Sequence, residues 1–319
     1  MPTPLRLVCV LASAGLLVLA PGRAPGQQRR PPAAHDSAVF TVDGRIALHA
    51  LMSLSDAHLR KMADVLTVLA RTDDARSGDW ARIRGPLAAI APMNVPALHW
   101  FALPGGRYWT VEHGRSDATL SDRPYFPSVL AGRTVIGELV TSRSSNRNTA
   151  IVAVPVRGRT GAVVGVLGAS IHLDSLSAIV RAELGGLGGG LVFFAIDSKP
   201  LGALHHDTTM IFTDPMKLGD EEMRGAFTQM LAADEGTVTY TFRGSRRTML
   251  FVRSPLSGWR YALGVSGAAA SGAQGSADGR IPAQLRPAPT DRRQSAGAPP
   301  MASATQGAAG GSPPNKPGP

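Results

Sequence analysis

The chain has 319 residues, enough for one large or two ordinary domains, and 44% of them are hydrophobic, so a core can form. Aromatic residues are only 5%, which leaves that core mostly to Val, Leu, Ile and Ala. The net charge of +10 sits at the ends: residues 1–32 hold four arginines and no acid, residues 267–319 hold five basic residues and two acids, and about +3 remains for the middle. A basic face for nucleic acid is therefore not expected.

In chain order, Arg6 precedes an apolar run over residues 7–20, which Pro21 and Gly22 break. The run is shorter than the ~20 residues a membrane span needs and suits the apolar part of a secretory signal peptide. Small residues at Ala24 and Gly26 place the expected cleavage after Gly26, so residues 1–26 read as the leader. The alternative is an uncleaved segment that anchors the protein to the membrane. Cys9, the only cysteine, lies inside this leader. The mature chain would then have no disulfide, no thiol chemistry and no cysteine-based metal site.

Residues 27–42 are polar and read as a linker. Ile46, Leu51, Leu54, His58, Met62, Val65 and Leu69 recur at three- and four-residue steps, which predicts a long amphipathic helix from Asp43 to about Asp73. "RTDDARSGD" breaks it, and Trp80, Ile83, Leu87 and Ile90 predict a shorter helix ending near Pro92. The period then shortens. "ALHWFAL" and "RYWTVEH" around "PGG" predict a hairpin. "TVIGELVTS", "TAIVAVPV" and "AVVGVLGASIHL" read as three more strands, and "DSLSAIVRAEL" as a helix with Asp174 or Ser175 near its N-cap. The glycine-rich residues 185–190 follow a helix and precede a strand, the reverse of a phosphate loop, and read as a hinge. Beyond it come a strand in "LVFFAID", a return strand in "SKPLGALHHD", a helix in "GDEEMRGAFTQML" and three strands to about residue 266. Residues 267–319 are nearly all Ala, Gly, Pro, Ser, Gln and Arg, and are expected to be disordered.

The fold class is therefore α+β, with strand–helix–strand units repeated in two tandem modules over residues 43–184 and 191–266. "YWTVEHGRSDATLSDRPYF", "NRNTAIVAVPV" and "GAVVGVLGASIHLDSL" resemble the membrane-distal module of double Cache sensor domains. The stretch from "VFFAIDSKPLGALHHD" to "SPLSGWRYALGVS" resembles their membrane-proximal module. The resemblance covers about residues 40 to 266. It implies two PAS-like modules, each an antiparallel sheet with flanking helices, behind a long N-terminal helix that often dimerises. It also implies an extracytoplasmic sensor of small molecules. In family members that bind amino acids, an arginine and aromatics of the segment matching "DRPYF" hold the ligand carboxylate. An aspartate on the last strand of that module holds the ammonium.

Carried onto this sequence, Arg123 takes the arginine position and Tyr125 and Phe126 the aromatic ones, whereas the aspartate position is Ser170. An ammonium would lack its counter-charge there, so the implied ligand shifts from an amino acid to a small carboxylate or other anion. The residue chemistry agrees. A guanidinium forks onto a carboxylate, two rings supply apolar walls, and Arg143 and Arg147, flanking "SSN", add positive charge. The expected ligand-binding set is Arg123, Tyr125, Phe126, Arg143 and Ser170.

His205, His206 and Asp207 are adjacent, so on an extended segment they alternate faces, and no metal site is expected. No motif for a catalytic nucleophile, zinc hydrolase or P-loop is present, so neither an enzyme nor a cofactor is expected. The function read from sequence is an exported small-molecule-binding sensor module, its partners a small organic solute and a membrane signalling protein. The alternative is a non-catalytic structural or adaptor protein of the cell envelope with a vestigial pocket.

Overall fold

The computed structural model describes residues 40–185, 191–267 and 280–283. The expected leader, residues 186–190 of the expected hinge and most of the linker and tail lie outside them.

After a short strand β1 (Phe40–Asp43), Asp43 caps the long helix α1 (Gly44–Ala70), its carboxylate accepting from the Arg45 amide. Helix α1 buries Leu48, Leu51, Ser55, Asp56, Leu59, Met62 and Leu66. This stripe differs from the predicted one. Leu51 and Met62 are shared, and Val65 and Leu69 pack half-buried against the same core, but Ile46 is 66% exposed. The reason is that two polar residues, Ser55 and Asp56, belong to the buried face because the second module supplies partners for them. The break after α1 holds a one-turn helix α2 (Asp73–Arg76), and α3 (Trp80–Ala89) follows.

The first sheet contains β2 (Ala97–Ala102), β3 (Arg107–Thr110), β4 (Gly114–Thr119), β5 (Val135–Thr141), β6 (Asn148–Arg157) and β7 (Val163–His172). Its order is β4-β3-β2-β7-β6-β5, every pair antiparallel. Strand β4 was not predicted: it lies at the sheet edge, alternates half-buried with exposed positions, and carries no large apolar residue. Between β4 and β5 the "DRPYF" segment ends in a short helix α4 (Phe126–Leu130). Helix α5 (Leu173–Glu183) begins directly after β7 with His172 at its N-cap, earlier than the expected Asp174 or Ser175.

The second sheet contains β8 (Leu191–Ile196), β9 (Gly202–His205), β10 (Glu235–Phe242), β11 (Ser245–Arg253) and β12 (Arg260–Ser266), with helix α6 (Glu221–Ala232) between β9 and β10. Its order is β10-β11-β12-β8-β9, again all antiparallel. In both sheets the module's first long strand pairs with its last, β2 with β7 and β8 with β12. Within the segment expected to lack structure, β13 (Arg280–Ala283) forms a two-stranded antiparallel ladder with β1.

One apolar core runs along α1. It joins Leu51, Leu59 and Leu66 to Val152 and Ala169 of the first sheet and to Tyr261 and Leu263 of the second. The strands alternate, so the opposite face of each sheet builds a separate cluster. Trp100, Tyr125 and Ile151 belong to one, Phe194, Phe227 and Tyr240 to the other. Both cavities described below open on these far faces.

Candidate functional site

On the far face of the first sheet, Leu98 and Trp100 of β2, Ile151 of β6 and Ser170 of β7 point the same way. The ladder sets Leu98 opposite Ser170, and Ser170 opposite Ile151. Tyr108 of β3, Val140 of β5 and the "DRPYF" segment close the sides. The result is a narrow cavity with an empty volume, counted to its open mouth, of about 290 Å3. Arg123, Tyr125, Arg143 and Ser170 all line it.

Ser170 is 4% exposed, and its Oγ accepts a hydrogen bond of 3.2 Å from Trp100 Nε1. The indole stands 6.5 Å, centroid to centroid, from the Tyr125 ring, tilted by 40°. Burial raises the Tyr125 phenol above its ordinary value, so at neutral pH it stays protonated, a neutral donor group. Half-buried Arg123 uses Nη2 to donate to the Thr141 carbonyl at 2.9 Å. Arg143 forks onto Asp122, Nη1 to Oδ1 at 2.7 Å and Nη2 to Oδ2 at 2.6 Å. That hydrogen-bonded pair lowers the Asp122 carboxyl and raises the Arg143 guanidinium. Tyr108 and Ser144 share a hydroxyl hydrogen bond of 2.7 Å at the rim.

Four of the five sequence-derived residues thus meet in one cavity. Phe126 does not: it is 1% exposed, sits at the start of α4 and packs into the cluster beside the cavity. Adjacent helical residues diverge by about a quarter turn, so when Tyr125 faces the cavity its neighbour faces the core. Arg147 is also elsewhere, its Nη2 donating to both Asp174 carboxylate oxygens at 2.8 and 2.6 Å and its Nη1 to His172 Nδ1 at 2.9 Å. Sequence reading missed Trp100, Tyr108, Leu98 and Ser142. The one available signal was alternation along "ALHWFA", which puts Leu98 and Trp100 on a common face.

Gly168 makes room for this arrangement. A Cβ there would lie 2.2 Å from Trp100 Cζ2. Gly168→Val should push the indole off Ser170, destabilise the protein by ~1–3 kcal/mol and shift tryptophan emission. A variant with wild-type emission and stability would show that the indole has other room.

His205 and His206 do not diverge as an extended pair would. Their rings stack at 4.3 Å because β9 ends at His205. Among the described residues no group of three or more His, Cys, Asp or Glu is arranged to hold a metal ion, and no helix is long and apolar enough to cross a membrane.

No protein-family model and no curated protein matches the chain. Solved structures do. The ligand-binding domain of the Pseudomonas aeruginosa PAO1 amino acid chemoreceptor PctB, in complex with L-Arg, aligns with a TM-score of 0.56 at 17% identity, covering 71% of this chain and 93% of that one. The extracellular domain named as that of the histidine kinase rpHK1S-Z16 gives 0.58 at 16% identity, covering 72% and 95%. The sensory domain of the Campylobacter jejuni chemoreceptor Tlp3, with isoleucine bound, gives 0.52 at 10% identity, covering 70% and 90%. The fold is that of extracellular ligand-binding sensor domains of the Cache type. Its two antiparallel sheets, flanking helices and long N-terminal helix match the double form.

Proposed function

We propose that this chain is an exported, non-catalytic sensor module whose first cavity binds a small carboxylate. The observation that carries this is the sign of the lining: it contains Arg123 and Arg143 and, among the described residues, no carboxylate. Asp122, the nearest acid in sequence, is already forked by Arg143. PctB and Tlp3 are structures with L-Arg and isoleucine, ligands that carry an ammonium. Here the position where the family resemblance puts an ammonium-holding aspartate is Ser170, whose hydroxyl accepts from an indole. Arg123, with one nitrogen on a backbone carbonyl, is the anion anchor. Arg143 stiffens the wall, and Tyr125 and Ser170 add neutral donors. Export through residues 1–26 and signalling through a membrane protein or a homodimer complete the proposal.

The competing reading is an adaptor with a vestigial pocket. It rests on the internal pairing of Trp100 with Ser170 and of Arg143 with Asp122.

Matched solutes decide. Propionate and butyrate should stabilise the full chain against heat, whereas alanine and 4-aminobutyrate should not. A solute at one hundred times its dissociation constant adds ~2.7 kcal/mol. Arg123→Ala should weaken carboxylate binding by ~30-fold, the loss of about 2 kcal/mol from a charge-assisted hydrogen bond, with little change in stability. Tighter binding of the amino acids overturns the carboxylate reading. Binding of no solute, with Arg123→Ala unfolding the chain, supports the adaptor.

A further inference from the structure

We propose that the second module holds its own ligand site, for a carboxylate with an apolar body. It goes beyond the first cavity and does not depend on it. On the far face of the second sheet, α6 and the turns after β9 border an open-mouthed cavity with an empty volume, counted to its mouth, of about 390 Å3. Its walls are apolar: Phe194, Ile196, Leu204, Met210, Met223 and Phe227 all contribute. Such a wall suits an alkyl or aryl group.

The polar end is Arg247 of β11. Arg246 and Arg253 of the same strand pair with Glu222 at 3.1 Å and Asp234 at 3.3 Å, but Arg247 has no ion pair among the described residues. Its Nε is buried without a hydrogen-bond partner. The guanidinium lies 4.8 Å from the Phe242 ring centroid, a cation–π contact. Among the described residues no carboxylate lines the cavity. A half-buried guanidinium with an unmatched donor is expensive to keep, and a carboxylate matches its fork. His205, which also lines the cavity, accepts the Asp207 amide on Nδ1 at 2.9 Å, so the neutral ring carries its proton on Nε2 and offers a second donor.

The test uses the full chain with hexanoate and phenylacetate as probes and hexanamide as the neutral counterpart, read by thermal shift and calorimetry. Hexanoate should bind about tenfold or more tightly than hexanamide, because only the anion engages the arginine fork. Arg247→Met should abolish the hexanoate response, and Arg123→Met should leave it intact. Loss with Arg123→Met alone overturns the proposal, since the probe then occupies the first cavity. Equal affinity for hexanoate and hexanamide overturns it as well, and so does the absence of any response, which would leave the cavity a packing void. If Arg247→Met does not fold, hexanoate against hexanamide in the wild-type and Arg123→Met proteins still decides.

Discussion

Trp259→Ala should be among the most damaging single substitutions in this chain, lowering stability by ~3–5 kcal/mol. Trp259 belongs to the second module, precedes β12 and is 0% exposed. Its Nε1 donates at 2.8 Å to the carbonyl of Gly137, in the first sheet. Gly137 has φ of +87°, at a bulge in β5, and a Cβ there would lie 3.2 Å from the indole nitrogen. Only glycine takes that backbone without strain and lets the ring approach. Truncation empties a ring-sized volume and leaves a buried carbonyl without its donor. Trp259→Phe keeps most of the volume and should cost ~1–2 kcal/mol for the lost hydrogen bond. Urea denaturation measures both. If Trp259→Ala costs no more than Trp259→Phe, the indole is not packed as described. Two separate transitions in the alanine variant would show that this contact joins the modules' unfolding.

Mild acid should produce the second large effect. His99, on β2, is 1% exposed, and neither ring nitrogen has a hydrogen-bond partner among the described residues. Burial, assisted by the charge of His172, lowers its pKa to about 4 from an ordinary 6.5. His205 is lowered to about 4 as well, chiefly by burial. A base depressed in the folded state is protonated more readily in the unfolded chain. Its contribution is fully present above 6.5 and is lost as pH falls toward 4. For His99 the full loss is ~3 kcal/mol. Asp56, Asp197 and Glu112 act in the opposite sense, because burial raises their carboxyls and acid relieves that penalty. Asp122 and Asp174, which are lowered, lose their contribution only below the ordinary carboxyl value. Denaturation midpoints between pH 7 and 4.5 should therefore fall in the wild type and fall less in His99→Leu. Identical slopes would show that His99 does not remain neutral in the folded state.

Local chemistry determined much of this protein. Helix and strand periods, the Asp43 cap and the acids opening α6 are properties of a few neighbouring residues, and the two-module order followed from them. The grouping of Arg123, Tyr125 and Ser170 was legible because the short "DRPYF" and "GVLGASI" motifs carry a family resemblance. The edge strand β4 was not legible, because an edge needs no apolar face. Nor was the buried stripe of α1. Asp56 is buried because Ser254 Oγ, at 2.6 Å, and Tyr261 OH, at 3.1 Å, donate to it across ~200 residues of sequence. The same holds for the cation pairing that gives each cavity its sign. Asp122 binds Arg143 and not its neighbour Arg123, and Arg246 takes Glu222 while Arg247 has no ion-pair partner among the described residues. A charged side chain takes whichever partner the packed elements bring within about 3 Å, and sequence adjacency does not fix that distance.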